Sequence, residues 1–329
     1  MSRRKVSRNF DLISGCSWYT PGVSGLFTML GMYLVGILIG TVVMVPIMLA
    51  LPEMPIYYSM LILYPIQLLP ALLFARIASS RNAGFERGYA IDGNNHFGKM
   101  GGFMLALFVM VATLACSLML ESVNQFLPEM KGALMEQMQK LMKGPLWTSL
   151  LTTCIMAPIL EEWLCRGIIL RGLLNFKHKD GSEGRGMKPV WAILLSALFF
   201  AVIHGNIWQG ITAFTIGVLF GYVYYKTGSL KLTILMHFAN NTFATLLAKY
   251  GGEKVSEAKS MLEVLPRWQY AILFAISVAV IFLLLGYLRT IPLNDTQGNC
   301  DVIPSAEDEY LAQKAAREAE EKAAAEPVE

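Results

Sequence analysis

The stretch APILEEWLCRGIIL, Ala157 to Leu170, sets two glutamates and an arginine into a run that otherwise reads as a membrane-spanning helix. An ionised side chain at the centre of such a helix costs about 2.5 to 3.5 kcal/mol against lipid. Glu161, Glu162 and Arg166 therefore have to face protein or water. Helix geometry divides them: Glu162 and Arg166 stand four residues apart on one face, where they can pair, while Glu161 sits about 100° around the helix and stays available for chemistry. Pro158, one turn earlier, removes the backbone bond to the Cys154 carbonyl and predicts a kink beside the carboxylates.

Working outward, the chain is 55% hydrophobic and 16% charged over 329 residues, too apolar for one soluble core. The expected class is all-α: a polytopic membrane protein, a bundle of about eight transmembrane helices with a charged cytoplasmic C-terminal tail. The spans fall near 26–51, 56–78, 100–121, 146–171, 189–205, 208–225, 230–249 and 268–288. Basic residues set the orientation. Arg3, Arg4, Lys5 and Arg8 precede the first span; Arg76, Arg81, Arg87 and Lys99 fall in the second connection, and Arg171, Lys177, Lys179, Arg185 and Lys188 in the one after the fourth span. The alternate connections carry fewer, which places both termini in the cytoplasm, with a bacterial inner membrane as the expected location. The net charge of +3 argues neither way about nucleic acid, and none is expected as a partner.

Residues 1–22 read as a basic cytoplasmic segment and 23–145 as the first transmembrane helices. Within the latter, 128–145 sets Leu134, Met138, Leu141 and Met142 at helical spacing beside Lys and Glu, as an interfacial helix would. Residues 146–250 carry the polar groups of interest, 251–290 a loop and the last span, and 291–329 a charged tail, helical from about 305. The box ISGC at Ile13–Cys16 has no apolar stretch before it and is rejected as a processing site. Cys16, Cys116, Cys154, Cys165 and Cys300 show no paired spacing and read as packing residues.

Two later spans carry histidine. Phe200 and His204 stand four residues apart, as do His237 and Asn241, each pair along one helix face. Singly these are ordinary: a lone intramembrane histidine or asparagine bonds helices together, Phe200 packs, and Glu162 with Arg166 makes a structural ion pair. Together with a free carboxylate they make a hydrolytic set. Counting about 1.5 Å per residue from the cytoplasmic ends puts His204 nearer the outer face than His237.

The patterns EExxxR (Glu161, Glu162, Arg166), FxxxH (Phe200, His204) and HxxxN (His237, Asn241), in that order, resemble the CPBP family of intramembrane proteases, also known as the Abi or CAAX prenyl protease 2 type. The resemblance covers about Leu146 to Tyr250. It implies an intramembrane endopeptidase that hydrolyses a peptide bond in a membrane-anchored or lipidated protein or peptide. Glu161 would be the general base, His204 would help hold and activate a water, and His237 and Asn241 would donate hydrogen bonds to the oxyanion, with Glu162, Arg166 and Phe200 in support. It also leaves room for Zn²⁺ on Glu161, His204 and His237, although no HExxH is present and glutamate with histidine can activate water without metal. Besides that substrate, membrane lipids are the expected partners. The rival readings are a non-catalytic membrane scaffold or bacteriocin-immunity factor on the same fold, and a transporter or proton relay. The absence of paired broken helices in matching halves weighs against the last.

Overall fold

Apolar runs of more than 20 residues become long helices here. In the computed structural model, which describes residues 19–81, 88–93, 96–128, 132–176, 186–252, 255, 258, 260–293, 298–299, 302–303 and 306–325, the first two are α1 (Val23–Ala50) and α2 (Ile56–Arg81). They pack on each other across the short turn at 51–55, and α2 continues through Pro65 and Pro70. After α3 (Gly101–Asn124) comes α4 (Ala133–Lys143). The helical spacing at 128–145 thus does form a helix, with Glu136 in its first turn, Lys140 and Lys143 in its last, and Glu136 paired with Lys140 at 2.7 Å. Of its expected apolar face, Leu141 is half-buried, and the side chains of Leu134, Met138 and Met142 lie outside the described residues. So does most of the glycine-rich loop at 177–188.

The decisive stretch lies in an unbroken helical segment from Leu146 to Asn175 that alternates register. It runs α5 (Leu146–Ser149), a first π-helical turn (Leu150–Met156), α6 (Ala157–Glu162), a second π-helical turn (Trp163–Leu170) and α7 (Arg171–Asn175). The backbone disturbance expected at Pro158 takes the form of that first wide turn, with the proline in the opening turn of α6, where its missing N–H is tolerated. Then follow α8 (Pro189–Val202), α9 (Ile207–Thr227), α10 (Leu230–Tyr250), the single-turn α11 (Met261–Val264), α12 (Arg267–Thr290) and α13 (Ala306–Ala325). The tail is helical as expected, and its described side chains, 311–321, are exposed. A two-residue antiparallel pairing joins β1 (Gly88–Tyr89) to β2 (Val302–Ile303).

The protein is an all-α polytopic membrane protein. Every one of the eight expected spans is a helix, but among the described residues five are long and apolar enough to cross a membrane: α1, α2, the 3₁₀ turn and α3 at Gly98–Val123, α9 and α12. The other three miss that standard for a physical reason. The segment 146–175 mixes registers, α8 is short, and α10 carries Lys231, His237, Asn240, Asn241 and Lys249. Polar residues on a helix are tolerated where the helix faces protein instead of lipid. The outer helices α1, α2 and α12 bury only 17% of their apolar windows, whereas α9 buries 44% and forms the middle of the bundle. Its Ala213 and Tyr224 belong to the hydrophobic cluster that also holds residues of α1, α2, α8 and the second π-helical turn, and its Ile216, Leu219, Phe220 and Val223 to the one built with α3, α10 and α12. One expectation is corrected. Arg171, counted as a cytoplasmic loop charge, is a fully buried residue of α7, and Arg76 and Arg81 belong to α2.

Candidate active site

Every residue from Trp163 to Asn175 is buried, so the motif helix is the axis of the site and not a lipid-facing span. Arg166 is fully buried and its Nη1 donates to Glu162 Oε1 at 2.8 Å, the pairing expected from their spacing. Its Nη2 donates to the Gly217 carbonyl of α9 at 3.0 Å. A Cβ on Gly217 would stand 3.2 Å from that nitrogen and equally close to Ala197 and Phe200, so a residue without a side chain is what admits the guanidinium. The ring of Phe200 lies 4.5 Å and that of Phe220 5.3 Å from the guanidinium carbon, adding cation–π attraction in a water-poor place.

Helix α10 brings in the next two residues. Its start is pinned by Asp92, whose Oδ1 accepts from the Ser229 hydroxyl and the Lys231 backbone N–H and whose Oδ2 lies 2.8 Å from Lys231 Nζ. Two turns on, the buried His237 meets both glutamates, with Nδ1 3.1 Å from Glu162 Oε1 and Nε2 3.8 Å from Glu161 Oε2. The Glu162 carboxylate oxygen accepts from Nδ1–H, which turns the other ring nitrogen, Nε2, toward Glu161. Asn241, one turn further, donates from Nδ2 to the Thr153 carbonyl at 2.8 Å.

His204 lies just beyond α8 in a turn that Gly205 closes at φ +69° and that Asn206 ends by capping α9, its side chain accepting from Gln209 N at 2.9 Å. Its Nδ1 is 2.7 Å from the Phe200 carbonyl, which can only accept, and this leaves Nε2 bare. Phe200 answers the question of depth: its ring meets His204 edge-on at 4.9 Å and His237 edge-on at 5.5 Å between centroids. The two histidines therefore flank one aromatic ring, which the last turn of α8 carries.

Glu161 completes the group. Its Oε1 accepts from the Tyr64 hydroxyl of α2, while its Oε2 is buried and has no hydrogen-bond partner among the described residues. Tyr33 of α1 donates to the carbonyl of Ile203 at 2.9 Å, beside His204. Neither tyrosine was singled out from the sequence. The available signal was a hydroxyl within an otherwise apolar span, at Tyr64 directly before a proline.

Glu161, His204 and His237 do not, as placed, form a three-ligand set for zinc. Among the described residues no group of three His, Cys, Asp or Glu side chains is disposed to hold a metal ion. Cys116, Cys154 and Cys165 are free thiols in line with their packing role; Cys16 and Cys300 lie outside the described residues.

No curated protein and no solved structure matched the chain. A family model did: residues 143–243 match type II CAAX prenyl endopeptidase Rce1-like proteins. That segment holds all seven motif residues, while Tyr33 and Tyr64 lie outside it. Over residues 143–243, less than half of the chain, the match thus supports the CPBP family of CAAX-type proteases that the three motifs resemble.

Proposed function

We propose that this protein is an intramembrane endopeptidase in which Glu161 is the general base, acting on a water held between its Oε2 and His237 Nε2. The observation that carries this is the unpartnered, buried Oε2 facing Nε2 at 3.8 Å, a separation across which one water can bond to both at about 2.8 Å. As the water oxygen attacks the peptide carbonyl carbon, Glu161 takes its proton. When the C–N bond breaks, the same carboxyl returns that proton to the leaving amine. With Nδ1–H donating to Glu162 Oε1, a neutral His237 serves better to hold the water than to donate to the oxyanion. The second N–H of Asn241 is then the donor for the developing negative charge, and His204, through its bare Nε2, is an alternative to His237 as acceptor for the water's second proton. Glu162 and Arg166 hold His237 in place, and no step is routed through a metal. The segment at 146–250 is the catalytic core in this reading. Both termini and the loop at 176–188 face the cytoplasm, on the distribution of lysine and arginine.

The substrate class is a membrane-anchored, lipidated peptide of the CAAX type, a reading that rests on the family. The test is cleavage of prenylated peptides by the purified protein in detergent, followed by mass spectrometry. Glu161→Gln should remain folded and lose cleavage by 10²-fold or more, the scale of a general base. Cleavage by Glu161→Gln at the wild-type rate would remove Glu161 from the mechanism. No cleavage of any prenylated or acylated peptide by the wild type would favour the scaffold reading.

A further inference from the structure

The first π-helical turn ends with the Ala157 N–H bonded to the Thr152 carbonyl five residues back. In that register the Thr153 carbonyl faces Pro158, which has no N–H to give. Asn241 fills the vacancy from α10, its Nδ2 donating to the Thr153 oxygen at 2.8 Å. A carbonyl can only accept, so this contact fixes the carboxamide with its NH₂ toward the wide turn and its Oδ1 away from it. Oδ1 in turn accepts from Asn240 Nδ2 at 3.1 Å. The Asn240 amide is thereby oriented too, and its Oδ1 accepts from the Ser117 hydroxyl of α3 at 2.6 Å. Ser117 also lies 3.1 Å from the Thr113 carbonyl, but its single proton serves the nearer Asn240. The chain Ser117, Asn240, Asn241, Thr153 thus has one direction only.

We propose that Asn240, backed by Ser117, is a positioning residue that locks the Asn241 carboxamide so that its free N–H faces the reacting carbonyl. This rests on the reading of Asn241 as the oxyanion donor. Without the lock, a turn of the amide about its own axis would present Oδ1 to the developing negative charge, repelling it instead of stabilising it. Thr153 alone holds the amide by one bond, and the Asn240 contact removes the alternative. Ser117 lies outside the segment matched by the family model, so the lock ties α3 to the catalytic core.

The test is kcat and KM for four variants on one prenylated peptide, normalised to folded protein. Asn241→Ala establishes the premise with a loss of about 10²-fold in kcat, the usual effect of deleting one oxyanion donor. Asn240→Asp is isosteric but, ionised, has no N–H for Asn241 Oδ1. It should approach the same loss with KM unchanged. Ser117→Ala should lower kcat by about tenfold, short of the 10²-fold loss of the donor itself, and Ser117→Thr, which keeps the hydroxyl, should restore it. Wild-type kcat in both Asn240→Asp and Ser117→Ala, with Asn241→Ala impaired, overturns the lock and leaves the oxyanion reading standing. Wild-type kcat in Asn241→Ala overturns both. A rise in KM with kcat unchanged in the Asn240 and Ser117 variants overturns the lock as well, because it would assign them to substrate binding. If Asn240→Asp does not fold, the Ser117 pair decides alone.

Discussion

Two arginines on one helix, Arg166 and Arg171, are both fully buried and live in different surroundings. Arg166 has a carboxylate, a glycine carbonyl and two aromatic faces about it. Arg171, five residues on, reaches three backbone carbonyls: its Nε donates to the Gly167 carbonyl at 2.6 Å, its Nη2 to the Tyr19 carbonyl at 2.8 Å, and its Nη1 to the Tyr89 carbonyl. In the proposed mechanism the first arginine belongs to the site, since it pairs with Glu162, whose Oε1 also meets His237 Nδ1. The second is a clamp that gathers the segment before α1, the segment before α3 and the motif helix at one point. β2 joins through its pairing with Tyr89. On this reading the same side chain supports the proposed chemistry at one end of the helix and assembly at the other.

Three substitutions sharpen or break that contrast. The largest effect belongs to Arg166→Met, which strands Glu162 as a buried carboxylate beside a histidine. It should cost about 3 to 5 kcal/mol, as removal of one partner of a buried pair does. Thermal unfolding in a mild detergent reads this, and the residual folded protein should also be inactive because His237 is no longer held. Arg171→Lys comes next. An ammonium cannot span three diverging carbonyls as a planar guanidinium does, so about 2 kcal/mol of stability should be lost, while kcat per folded molecule stays at the wild-type value. Loss of kcat in Arg171→Lys at unchanged stability would reverse the two roles. The smallest effect is Tyr64→Phe, which removes the hydroxyl on Glu161 Oε1. A gain in carboxylate freedom worth about 1 kcal/mol corresponds to about fivefold in kcat, measured against unchanged unfolding; an unaltered kcat would mean that packing alone aims Glu161.

What could be read in advance follows from distance along the chain. The Glu162–Arg166 pair was legible because both partners share a helix face, and the buried environment followed from the cost of charge in lipid. The eight helices were legible as apolar runs. The clamp at Arg171 was not, since its acceptors lie at residues 19 and 89 and a basic residue at a span end looks like a loop charge. Tyr64 was hidden for the same reason, its partner being 97 positions away. The convergence of His204 and His237 on Phe200 was missed because counting rise along ideal helices ignores where α8 ends. The π-helical turns were missed because hydrophobic periodicity does not report a single extra residue in a turn.

That extra residue bears on how the gene can be edited. A wide turn accommodates one residue more than an α-turn, so deleting a single residue between Leu150 and Met156 would let the backbone close in ordinary register without breaking the helix. Everything downstream would then keep its face, because the wide turn had already absorbed the rotation of about 100° that one residue adds to an α-helix. A one-residue deletion there would leave Glu161 aimed at His237, whereas the same deletion in the α-helical turn Leu146–Ser149 would rotate the wide turn and the carboxylates away from their partners.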